Sequence, residues 1–129
     1  MSTSYVNYRG RGFWSWDGYL EDALGIISEA IHGDTSPDWL KTARQHWTEQ
    51  ASGGFMGCIY PDLGKFLTTD ERQQALLRII EFGLGRNYLT LGAKATLEML
   101  ASLVRGEIQT DASSPLDYMV QGDFERMRK

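Results

Sequence analysis

In several stretches between Trp16 and Val104 the apolar residues return every three or four positions, and this period constrains the fold more than any other feature of the chain. Such spacing places them on one face of a helix, and a helix with one apolar face must bury it against another element. The first run is Trp16, Tyr19, Leu20, Ala23, Leu24, Ile27 and Ile31. It predicts a helix from about Trp16 to His32, capped by Ser15 and stopped by Gly33. Asp17, Glu21 and Asp22 fall in its first two turns, where the helix dipole favours negative charge. Ser36-Pro37-Asp38 opens a second helix bearing Trp39, Leu40, Ala43, Trp47 and Ala51. Thr68-Thr69-Asp70-Glu71 has the form of a capping box and opens a third, with Ala75, Leu76, Ile79 and Ile80 on one side. Thr90 caps a fourth, which carries Ala93, Leu97, Leu100, Ala101 and Val104 and stops at Gly106. Ser114-Pro115-Leu116-Asp117 repeats the cap-plus-proline signal for a fifth, with Met119, Val120 and Phe124.

The remaining segments lack this period. Residues 1–14 are rich in Tyr, Arg and Gly and read as an extended arm or short strand, whose Tyr5, Tyr8, Phe13 and Trp14 pack onto the body. Residues 52–67 contain Gly53, Gly54, Gly57 and Gly64, yet Phe55, Met56, Ile59, Leu63, Phe66 and Leu67 are too apolar for a solvated loop. They read as an ordered connection with a short helical turn after Pro61. The expected fold is therefore all-α: a compact bundle of about five helices with an extended N-terminal arm, one domain over residues 1–129.

Charge narrows the partners. The 13 basic and 17 acidic residues give a net charge of -4, which disfavours nucleic acid as a partner. The acidity is concentrated in residues 1–40, where Asp17, Glu21, Asp22, Glu29, Asp34 and Asp38 face only Arg9 and Arg11. No apolar run is long enough to span a membrane, and Met1-Ser2-Thr3-Ser4-Tyr5 opens no signal peptide. With Cys58 as the single cysteine, a reducing, cytoplasmic setting is expected.

Chemistry-bearing residues are sparse. Cys58 with His32 or His46 could form a nucleophile–base pair, but no signature supports it, and the sulfur reads as a small buried hydrophobe. The two histidines fall on different helices without clustered ligands, so neither metal nor cofactor is expected. Gly64-Lys65 is followed by Phe66, where a phosphate-binding loop needs Ser or Thr. Arg9-Gly10-Arg11-Gly12 is one Arg-Gly unit beside an acidic helix. Asp17, Glu21 and Asp22 read first as a solvated helix face and second as a surface for a basic partner. All four tryptophans lie between Trp14 and Trp47, and an exposed one would anchor an interface.

Tyr8-Arg9-Gly10, Gly12-Phe13-Trp14 and Asp17, then Gly53-Gly54-Phe55 and Gly57-Cys58, then Phe66-Leu67-Thr68, then Leu103 and Arg105-Gly106-Glu107 together give a pattern across most of the chain. It resembles a family of short bacterial proteins similar to the small cytosolic immunity proteins that accompany secreted or contact-delivered toxins. The resemblance implies a non-enzymatic domain that binds one cognate toxin, and it carries over no functional residue. The residues themselves nominate Trp14, Asp17, Glu21, Asp22 and Asp38 as partner contacts. Two alternatives stand beside this expectation. One is a homo-oligomeric structural or adaptor protein, a homodimer in its simplest form. The other is a small ligand-binding protein or enzyme using the glycine-rich connection at 52–67.

Overall fold

The computed structural model describes residues 2–108, and the helix expected from Ser114-Pro115 lies outside them. Strands β1 (Thr3–Tyr8) and β2 (Arg11–Trp16) are followed by α1 (Asp17–Ala30), α2 (Asp38–Ala51), α3 (Leu63–Phe66), α4 (Asp70–Leu84) and α5 (Leu91–Val104). The fold is thus mixed α/β, and the all-α expectation is corrected.

Residues 3–16 are an antiparallel hairpin rather than an extended arm, with Val6 paired to Phe13 and Tyr5 to Trp14. Arg9 and Gly10 are its two turn residues, with φ of 52° and 79°. Positive φ at both central positions is the geometry that matches the twist of two antiparallel strands. Ser4, Val6 and Tyr8 are buried on alternate positions of β1, and Phe13 and Ser15 on β2. Gly12 leaves room for the Tyr5 ring, since a Cβ there would stand 2.5 Å from that ring and 2.4 Å from the Val6 carbonyl.

Helix α1 is the hub, packed by α2, α4 and α5. Its Leu20, Ala23, Leu24 and Ile27 are buried, and one core joins them to Val6, Phe13, Trp47, Leu76, Ile80, Leu97 and Leu100. Two glycines set the close approaches. A Cβ on Gly92 of α5 would meet the Tyr19 ring at 2.3 Å, and one on Gly83 of α4 would meet Ile26 at 2.8 Å.

Two of the expected caps hold and four are corrected, the first on α2, where Pro37 rather than Ser36 takes the cap position. Thr90 accepts from the Ala93 N–H at 3.1 Å, as expected. Gly106, at φ 75°, closes α5: its N–H bonds the Leu103 carbonyl and that of Glu107 bonds Ser102. On α4 the cap is Thr69, which accepts from Arg72, so the expected box with Glu71 does not close. Helix α1 begins one residue later than expected, and Ser15 does not cap it. That hydroxyl instead meets Thr96 Oγ1 at 3.1 Å between hairpin and α5. Gly33 is not the stop of α1 either, because the chain leaves the helix at Ile31.

Candidate functional site

Residues 52–62 join α2 to α3 and form the most heavily braced connection among the described residues. Gly53, Gly54 and Gly57 take φ of 93°, 88° and 72°, and Asp62 takes 55°. Three glycines at positive φ fold the segment into a tight turn that L side chains would strain. Its backbone is then held by side chains from three other elements. Asp17, at the start of α1, accepts from the Ser4 hydroxyl at 2.7 Å through one carboxylate oxygen and from the Gly57 N–H at 2.7 Å through the other. Ser4 in turn accepts from the Ile59 N–H at 3.1 Å. Gln50 accepts from the Tyr60 N–H at 2.7 Å. The far end is fixed by Trp47, whose indole N–H donates to the Pro61 carbonyl at 2.7 Å. Ser4, Asp17, Gln50 and Trp47 are all buried.

What this bracing presents is apolar. Met56 is 79% exposed, Tyr60 49% and Phe55 37%, and Cys58 is exposed beside them. The expectation that Cys58 is a buried hydrophobe is therefore corrected. Ile59 and Pro61 are buried, so from Cys58 to Pro61 the chain alternates between outer and inner residues as a strand does. The carboxylate of Asp62 raises the Tyr60 pKa, with partial desolvation and a hydrogen bond to Asp62 adding to the effect. The phenol therefore stays a neutral donor through the physiological range.

The acidic residues sort into three places. Asp17 is inside, as the clamp just described. Glu21, Asp22 and Glu29 line an open groove of about 450 Å³ along α1, closed on the far side by Arg86, Tyr88 and Thr90. Arg86 pairs with Glu29 at 2.8 Å in an exposed bridge, leaving Glu21 and Asp22 as the uncompensated charges of this groove. Asp22 is held above the ordinary carboxylate range by partial desolvation. The groove and the turn meet at Gly53, where a Cβ would come within 3.2 Å of a Glu21 oxygen. Asp38 stands apart, exposed in the first turn of α2. Trp14 is half-buried rather than an exposed anchor: its ring lies 5.1 Å from that of Tyr5, and it packs toward Ala95. Of the five nominated contacts, the fold brings Glu21 and Asp22 into one surface, uses Asp17 to position it, and leaves Trp14 and Asp38 elsewhere.

Sequence reasoning missed Phe55, Met56 and Tyr60 as the exposed set. The glycines and apolar residues of 52–67 are the available signal, but local spacing points only to an ordered connection. The braces that turn these side chains outward join Ser4, Asp17 and Gln50 to residues 10 to 55 positions away, beyond any local spacing.

The two histidines lie in different places. His46 is bonded through Nε2 to the Tyr60 carbonyl at 2.7 Å and packs against Phe66. His32 lines a different groove. Among the described residues no three His, Cys, Asp or Glu side chains are grouped to hold a metal, and no helix is long and apolar enough to cross a membrane. Compared with known proteins, the chain matches no family model, no curated protein and no solved structure.

Proposed function

We propose that this chain is a non-enzymatic protein-binding domain of the immunity type, which neutralises one cognate toxin by covering part of its surface. The observation that carries the reading is the braced turn: buried polar side chains fix the backbone of a segment whose Phe55, Met56 and Tyr60 face solvent. A segment held in one conformation loses little entropy on binding, and a few apolar anchors supply most of the energy of an interface. Glu21 and Asp22 beside the turn supply a charged rim that steers and selects a basic partner. A toxin surface with an apolar pocket bordered by Lys or Arg has the matching chemistry.

Co-expression with the toxin encoded by the adjacent gene tests the proposal. The intact protein is expected to restore growth and to form a 1:1 complex with the purified toxin, while Met56→Glu and a Glu21→Lys/Asp22→Lys variant lose both. Absence of protection and of a complex with the intact protein would refute it.

A further inference from the structure

A second concave surface lies on a different part of the molecule. Helices α2 and α4 both pack on α1 and leave between them a groove of about 770 Å³. Its floor includes Ile31 and Leu40, and one wall is a face of α4. That face carries Glu71, Ala75, Arg78 and Phe82, spaced by four, three and four residues, so they share one stripe. Phe82 is 71% exposed. Glu71 and Arg78 are exposed, and among the described residues neither is in an ion pair. Two helical turns, about 10 Å, keep them from pairing with each other. Across the groove Trp39 is half-buried under the Arg72 guanidinium, which stands 4.9 Å over the ring and donates to the Phe66 carbonyl.

The stripe is complementary to itself. Glu71 and Arg78 sit on either side of Ala75, at nearly equal distance. When a second α4 lies antiparallel on the first about a two-fold axis beside Ala75, Glu71 of each copy comes opposite Arg78 of the other. The small Ala75 lets the helices approach at the axis. The projecting Phe82 ring of each copy then falls toward the Thr69 and Trp39 end of the other's groove. One operation pairs both charges twice and covers both Phe82 rings, which is the condition a two-fold interface must meet. We infer that the groove between α2 and α4 is a self-association surface, occupied by α4 of a second copy of this chain. It is separate from the turn at 52–62 and does not depend on the function proposed for that turn.

The experiment is sedimentation equilibrium on the full 129-residue chain over a concentration series, with charge-reversed variants. The mass is expected to rise from 14.6 kDa toward twice that value. Glu71→Arg alone and Arg78→Glu alone each place like charges opposite one another twice, and each should weaken association about tenfold. An equimolar mixture of the two single variants restores both attractive pairs, so it should associate about as strongly as the parent chain while each variant alone remains about tenfold weaker. Phe82→Ala should weaken association without altering the circular dichroism. A wild-type chain that keeps the monomer mass throughout would overturn the inference and leave the groove to another occupant. So would a mixture no more associated than its separate components.

Discussion

Two connections in this protein have similar jobs and opposite construction. Residues 31–37 carry the chain from α1 to α2, and residues 52–62 carry it from α2 to α3. The first has polar, exposed side chains from His32 to Thr35, and its backbone relies on a local bond from the Ser36 N–H to the His32 carbonyl. The second has apolar, exposed side chains and a backbone held by Ser4, Asp17 and Gln50. A connection that only has to link two helices can leave its backbone to water. Fixing a backbone from inside while its apolar side chains face outward carries the costs of desolvating a carboxylate and of exposing Met56, which the first connection does not incur. The difference is what supports the function proposed for the second connection.

The largest difference between the two connections is expected at Asp17. Asp17→Ala leaves the Gly57 N–H and the Ser4 hydroxyl without their acceptor, which should cost about 3 kcal/mol in a urea unfolding curve. Ser4→Ala removes one acceptor, for the buried Ile59 N–H, and one donor to Asp17, and about 1–2 kcal/mol is expected by the same measurement. A glycine pair makes the contrast between the connections direct. Gly53→Ala meets φ 93° and the Glu21 carboxylate, and should lose about 1 kcal/mol. Gly33→Ala meets only the end of the Arg44 side chain at 3.7 Å, without positive φ, and should change stability by less than about 0.5 kcal/mol. Met56→Ala should be equally silent in unfolding, yet weaken binding of the proposed toxin partner about tenfold or more.

The smallest effect concerns pH. Burial raises the Asp22 pKa in the folded state, so folding favours its protonated form. The penalty for keeping it charged is absent below the unfolded pKa, near 3.8, and grows as pH rises through the higher folded value. Asp22→Asn should therefore be slightly more stable than the parent at pH 7, with the gain vanishing in acid, as followed by thermal unfolding at several pH values. The same substitution should weaken binding of a basic toxin, so stability and affinity move in opposite directions.

Much of the helical frame was legible in the sequence, because caps and stops act over three or four residues: Thr90 and Gly106 do what their neighbours imply. The hairpin was obscured for a physical reason. Its inward positions include Ser4 and Ser15, which break the apolar alternation, and Arg9 is an uncommon residue for the first position of a turn that needs positive φ. Those same serines are polar because they bond across the molecule, to Asp17 and to Thr96. The acidic character of α1 was visible as composition, but its division into an inner clamp and an outer rim was not. Asp17 and Glu21 lie one turn apart on the helix, and only tertiary packing turns one in and leaves the other near the surface.

The function proposed for the turn requires the backbone of 52–62 to be fixed while its side chains stay outside. Native-state hydrogen exchange at the Gly57, Ile59 and Tyr60 amides, set against those of Gly33, Asp34 and Thr35, measures this directly. The first three are expected to be protected to within a small factor of the core helices, the second three to exchange rapidly, and Asp17→Ala to remove the protection at Gly57. Exchange at Gly57, Ile59 and Tyr60 as fast as at Gly33, Asp34 and Thr35 would contradict that requirement.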